Sequence, residues 1–161
     1  MEIFVLSKPL FDKLMETKGI DESNIESKDV FFISINNTLS FPELLQGDSP
    51  YFKNDKSNLK VMYFDDVSED VYLDGKLQSK AFTEDQGKGL LEFIEKNKDK
   101  KSCVVHCTAG ISRSGAVGLF INDYFKGDYF EFMKVNQYVK PNPHISRVLN
   151  NLSRSSHNTN S

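Results

Sequence analysis

Apolar residues recur along the chain in two kinds of block: short, nearly continuous runs, and longer stretches in which they return every third or fourth position. Glu2 to Leu6, Val30 to Ile35, Leu59 to Phe64 and Ser102 to His106 are of the first kind. Runs so short and so apolar predict strands buried within a sheet. The second kind predicts helices, and local signals mark their ends. Ser7-Lys8-Pro9 supplies a cap and a first-turn proline, Leu10, Phe11, Leu14 and Met15 follow at helical spacing, and Gly19 stops the element. Thr83-Glu84-Asp85-Gln86 is a capping box, and Leu90, Leu91 and Ile94 give the helix that follows its buried face up to about Asn97. A helix from Arg113 to Phe125 is apolar nearly all round, which predicts a central position. Gly127 ends it, and Asp128-Tyr129-Phe130-Glu131 opens another helix predicted to run to Pro141. Asn142-Pro143 caps a last helix, with Ile145, Val148, Leu149 and Leu152 as one stripe.

Polar stretches join these blocks. Asp21 to Asp29 reads as a loop or short helix, Phe41 to Leu45 as one helical turn, Gln46 to Asn58 as a surface loop and Lys98 to Lys101 as a solvated turn. Val67 to Phe82 is a long, charged connection, of the kind that serves either as a lid or as a plain insertion. Ser153 to Ser161 reads as a disordered polar tail. Strands alternating with helices predict an α/β fold: one domain over residues 1–152, with a central, mostly parallel four- to five-stranded sheet flanked by helices. Ligands of such sheets sit beyond the carboxyl ends of the strands, where Asp65-Asp66 and Cys107 fall.

Composition narrows the function classes. A chain of 161 residues can bury a core without disulfide or metal staples. Lys and Arg number 20 against 23 Asp and Glu, so no global positive field attracts nucleic acid or an anionic membrane, and neither is expected as a partner. The N-terminal apolar run is too short for a signal peptide and no apolar run reaches bilayer length; a cytoplasmic monomer is expected. Cys103 and Cys107 lie in one predicted strand, roughly 13 Å apart and too far for a disulfide. Cys103 reads as a core residue. A metal site from Cys103, His106, Cys107 and His144 is disfavoured, because adjacent strand residues face opposite ways and the usual ligand spacing is missing. No cofactor is expected.

The chemistry gathers in His106-Cys107-Thr108-Ala109-Gly110-Ile111-Ser112-Arg113-Ser114. Residues Cys107 to Ser112 separate a buried strand from a helix start, so their successive N–H groups can curl into an anion-binding nest at a positive helix end. Thr108, Ala109, Gly110 and Ser112 are small enough for the backbone to approach a phosphate, with Ile111 completing the loop. Arg113 offers a planar fork for two phosphate oxygens. In that field Cys107 should be a thiolate, able to attack phosphorus and form a phosphocysteine that water then hydrolyses. Ser114 can donate a hydrogen bond to the departing sulfur. Expelling the leaving oxygen needs a proton, for which Asp65 and Asp66 stand at a neighbouring strand end. Adjacent residues of an extended segment point oppositely, and the sequence leaves open which of the two faces the site.

His-Cys-x5-Arg-Ser, at residues 106–114, resembles the signature of the cysteine-based protein tyrosine phosphatases, and the small domain resembles their dual-specificity branch. The resemblance implies Cys107 as nucleophile, Arg113 as phosphate clamp, Ser114 as leaving-group helper and His106 as a tuner of the thiolate. Tyr63-Phe64-Asp65-Asp66 is similar to the general-acid segment of some small members, in which the second Asp is the acid, and this favours Asp66. Pro141-Asn142 and a helix with Leu149 resemble the segment that buttresses the loop. One departure is the interval from Asp66 to Cys107, longer than in compact members, which keeps Asp70, Asp74 and Asp85 as alternative acids. No Lys, Arg or second His lies between Cys107 and Arg113. That disfavours multiply phosphorylated inositides and 5′-triphosphates and points to a phosphorylated protein, with phosphotyrosine ahead of phosphoserine and phosphothreonine. The competing readings are a phosphoprotein-binding pseudophosphatase, a phosphatase of a non-protein phosphoester, and a sulfurtransferase or arsenate reductase. Ser114 and the Asp pair argue against the last.

Overall fold

The computed structural model describes residues 1–38 and 49–159, with side chains as far as residue 155. In chain order its elements are β1 (Glu2–Ser7), α1 (Lys8–Lys18), β2 (Val30–Asn36), β3 (Leu59–Tyr63), β4 (Val71–Leu73), β5 (Lys76–Ser79), α2 (Glu84–Lys96), β6 (Ser102–Cys107), α3 (Arg113–Tyr124), α4 (Tyr129–Val135) and α5 (Pro143–Thr159). A short 3₁₀ turn, Ile25–Ser27, lies in the connection after α1. The helical turn expected at 41–45 and the start of the loop expected from Gln46 lie outside the described residues.

Strands β1, β6, β2 and β3 form one parallel sheet in that spatial order. The central pair, β6 and β2, is buried on both faces, which is why their sequences are apolar runs without alternation. Side chains nevertheless divide by parity. Phe31, Ile33, Ile35, Cys103, Val105 and Cys107 enter the larger core, shared with α2, α3 and α5. Phe32 and Val104 enter the other, with Phe11 and Met15 of α1 and Phe52 of the connecting loop. Helix α3 lies close on the sheet through glycine: a Cβ at Gly118 would stand 2.6 Å from Val5 Cγ2.

Helix starts follow the local signals. Ser7 Oγ accepts from Leu10 N, the Thr83–Gln86 capping box is reciprocal, and Asp128 Oδ1 accepts from Glu131 N. Two ends differ from expectation. Helix α4 stops at Val135 rather than near Pro141, because Asn136 leaves the helix to serve β1. Its Oδ1 accepts from Val5 N at 2.8 Å and its Nδ2 donates to Ile3 O at 2.9 Å, so one side chain satisfies the outer edge of the sheet. Helix α5 continues past Leu152 to Thr159, through the stretch expected to be a disordered tail. No Gly or Pro interrupts Ser153–Thr159, and helix extension adds a hydrogen bond per residue once the nucleus exists.

The interval from Val67 to Phe82 is also not plain loop. It contains an antiparallel hairpin, β4–β5, turning at Asp74 (φ 51°) and Gly75 (φ 74°). Both turn residues have positive φ, the geometry that suits the twist of a two-residue hairpin and that Asp-Gly adopts readily.

Candidate active site

The carboxyl ends of β1, β2, β3 and β6 converge on the loop between β6 and α3. Several backbone bonds hold that loop. Lys8 N donates to Thr108 O (3.1 Å), Lys140 N to Ile111 O (3.0 Å) and Asn142 N to Ser112 O (3.1 Å). The segment from Lys140 to Asn142 thus buttresses the loop, as the sequence resemblance implies. Gly110 has φ 71° and lies against the end of β1, where an added Cβ would be 2.5 Å from Ser7 N. No other residue fits there without displacing backbone.

Cys107 and His106 leave β6 on opposite faces, as neighbours on a strand must. Cys107 Sγ is 3.0 Å from Ser114 Oγ, in the first turn of α3. Burial works against a charge on the sulfur. The Ser114 hydroxyl and N–H, the Arg113 guanidinium and the Gly110 N–H together outweigh it and hold the thiol below its ordinary value. Cys103, with burial alone acting on it, is pushed well up. Both cysteines are free and buried, yet only Cys107 has an environment for chemistry.

Arg113 is 6% exposed, with its guanidinium held in a fixed plane. Nη1 donates to Asn37 Oδ1 (2.7 Å) and to the Phe64 carbonyl (2.9 Å), and Nη2 to Thr108 Oγ1 (3.0 Å). Asn37 was not legible as a site residue. Its only signal is position, just beyond the carboxyl end of a buried strand.

His106 lies on the α1 side of the sheet. Its ring stacks on Phe11 with centroids 4.2 Å apart, its Nδ1 is 3.2 Å from the Cys107 carbonyl, and its Nε2 is 2.7 Å from Ser34 Oγ. A carbonyl can only accept, so Nδ1 carries the proton and Nε2 accepts from Ser34. Burial lowers the pKa of His106 to about 4, and the ring is neutral at pH 7. Its polar contact with Cys107 is to the backbone carbonyl, and a neutral ring lends no positive charge to the sulfur.

The two adjacent aspartates separate cleanly. Asp65 accepts from Thr38 N and Thr38 Oγ1, and from Lys80 N at 2.7 Å, so it ties the end of β2 to the end of the hairpin. Asp66 turns to the loop: its Oδ1 accepts from Ser112 Oγ and from Asn142 Nδ2, both at 2.8 Å. Asn142 in turn caps α5 by accepting from Ile145 N. Asp70 is occupied by Ala81 N, Asp74 forms the hairpin turn, and Asp85 sits in the first turn of α2 beside Lys60 and Met62. Of the five carboxylates, Asp66 is the one hydrogen-bonded to the Cys107–Arg113 loop. Among the described residues, no group of three or more His, Cys, Asp or Glu side chains could hold a metal ion, and no helix is long and apolar enough to cross a membrane.

No protein-family model and no curated protein matches the sequence. Solved structures do match the fold. The chain is similar to the human tyrosine phosphatase-like serine/threonine/tyrosine-interacting protein, with 18% identity, 89% of this chain and 83% of that one covered, and a TM-score of 0.50. It is similar also to the PTP-2 phosphatase of Cydia pomonella, with 14% identity, coverage of 92% and 84%, and a TM-score of 0.50. The chain has the fold of the cysteine-based protein tyrosine phosphatases.

Proposed function

We propose that the protein is a cysteine-dependent phosphoric monoester hydrolase acting on phosphorylated proteins, with phosphotyrosine ahead of phosphoserine and phosphothreonine. The observation that carries this reading is Cys107 Sγ, 3.0 Å from the Ser114 hydroxyl and in the field of Arg113, inside a backbone nest. The Cys107 thiolate attacks phosphorus in line while the P–O ester bond breaks. The leaving oxygen takes a proton from Asp66, whose two bonded donors share Oδ1. The Asp66 carboxylate then accepts a proton from water as the water oxygen attacks phosphorus and the P–S bond breaks. Ser114 stabilises the sulfur as it regains its charge. Arg113 and the loop N–H groups hold the equatorial oxygens through both steps. Such a thiolate needs a reducing compartment such as the cytoplasm.

Vanadate-sensitive hydrolysis of p-nitrophenyl phosphate is the direct assay. Cys107→Ser should abolish it, and full activity in that variant would remove the mechanism. Asp66→Asn should lower kcat by roughly 10²–10⁴-fold with KM largely kept; an unchanged rate would assign the proton to another group.

One observation favours a second reading, phosphoprotein binding without turnover. Ser112 and Asn142 both hold Asp66, and a side chain so tethered can serve as a structural link between the loop and α5. That reading requires phosphopeptide binding with no phosphate release.

A further inference from the structure

Hairpin β4–β5 occupies the interval between Asp66 and α2, and among the described residues the hydrogen bonds that fasten it to the rest of the chain lie at its base. Asp65 N donates to Lys80 O and Lys80 N to Asp65 Oδ2, both at 2.7 Å, and Ala81 N donates to Asp70 Oδ1 at 2.9 Å. Beyond that base the ribbon stands in solvent with an apolar surface: Val71 is 42%, Tyr72 62%, Leu73 63% and Leu77 39% exposed. A lone two-stranded ribbon is marginal in water, and bare apolar side chains on it add nothing to its solubility. Tyr72 and Leu77 face each other across the ladder, which supplies the cross-strand pair that such a ribbon needs. Val71, separated from Tyr72 by an irregularity of register, and Leu73 are the other exposed apolar residues of β4. Val71 and Glu69 line the same open recess, about 440 Å³, as Asp66, Ser112, Asn142 and Pro143, so the near end of the ribbon borders the candidate active site. The dipeptide Asp65-Asp66 joins the two, one carboxylate anchoring the hairpin and the next contacting the loop.

We propose that the hairpin is a docking element for the protein substrate, receiving the residues beside the phosphorylated side chain. The proposal rests on the phosphatase reading and adds the substrate's sequence class to it. Apolar side chains of the substrate pack on Val71 and Leu73, and a basic residue pairs with the exposed carboxylate of Glu69. The occupant follows from continuity: a polypeptide whose phosphoryl group sits over Cys107 must leave the site across its rim, and this rim offers apolar surface with a negative charge.

The test compares three substrates: p-nitrophenyl phosphate, a phosphotyrosine peptide flanked by Leu, Ile and Arg, and one flanked by Gly and Ser. For the wild type, kcat/KM should favour the apolar and basic peptide by roughly tenfold or more, carried by KM. Leu73→Ser with Glu69→Gln should erase that preference while leaving kcat/KM for p-nitrophenyl phosphate within about twofold, the small substrate reporting that the site is intact. Equal rates on the two peptides in the wild type, or a preference kept in the double variant, would overturn the proposal. If the wild type releases no phosphate from any substrate, the phosphatase reading falls alone. Fluorescence anisotropy with the same two peptides, labelled, then decides the docking: tighter binding of the apolar and basic peptide supports it, and equal binding overturns it.

Discussion

At Gly110 a positive φ coincides with contact against Ser7 and Leu6 backbone, so neither strain nor crowding can be relieved by moving a side chain. Gly110→Ala should cost about 2 kcal/mol or more and displace the loop N–H groups. The checks are a urea titration and aryl-phosphate turnover, and unaltered activity would mean the loop tolerates another path. Cys107 titrates below its ordinary value, so its alkylation by iodoacetamide should half-saturate at a lower pH than that of a cysteine in an unstructured peptide. Ser114→Ala should move that midpoint upward, because the hydroxyl bond to sulfur is the leading interaction opposing burial. For His106 the sign runs the other way from that of a salt-bridged histidine. Its folded pKa, about 4, is below the unfolded value of about 6.5, so the unfolded chain binds more protons between those values. Stability is complete above about pH 6.5 and falls as the pH drops toward 4, by about 3 kcal/mol from this group. Urea unfolding at pH 7 and pH 5 should differ for the wild type and much less for His106→Gln; equal pH dependence in the two would remove the assignment.

At the scale of elements, what was legible in the chain depended on how local the cause is. Capping boxes, the first-turn Pro9 and the buried runs act within a few residues, and the helix starts and the four parallel strands fall where those signals place them. The end of α4 does not, because Asn136 has a partner far away in sequence, on β1. Asn136→Ala leaves Val5 N and Ile3 O without that partner and should cost about 1–3 kcal/mol, with faster hydrogen exchange at Val5; wild-type exchange there would show that water serves the edge as well. The hairpin was missed for another reason. Val71-Tyr72-Leu73-Asp74-Gly75-Lys76-Leu77 carries the Asp-Gly hairpin signal between apolar residues, but the charge around it reads as loop. The pairing register completes what the turn only suggests.

For the whole molecule, the loop at residues 107–113 is a meeting point. β1, β2, the Phe64 carbonyl after β3, and the segment leading into α5 all contact it or Arg113. An anion bound there therefore joins distant parts of the chain, and ligand binding to the native state raises global stability. Orthovanadate should raise the Tm of the wild type and leave that of Arg113→Met nearly unchanged. Equal shifts in both proteins would mean that the anion binds elsewhere.

Local sequence was enough for the shape of the central loop: a cysteine, small residues and an arginine between a buried run and a helix start permit few other arrangements, because all the causes lie within one turn of chain. It determined the α/β class in the same way, through the period of its apolar positions. Long-range contacts settle which aspartate meets the loop, that His106 is neutral on the far face of β6, that Asn37 holds Arg113, and that a hairpin rather than plain loop stands beside the site. Each of these depends on which way a strand's side chains face or on a partner many residues away, and a one-residue change of facing inverts them without altering the local pattern.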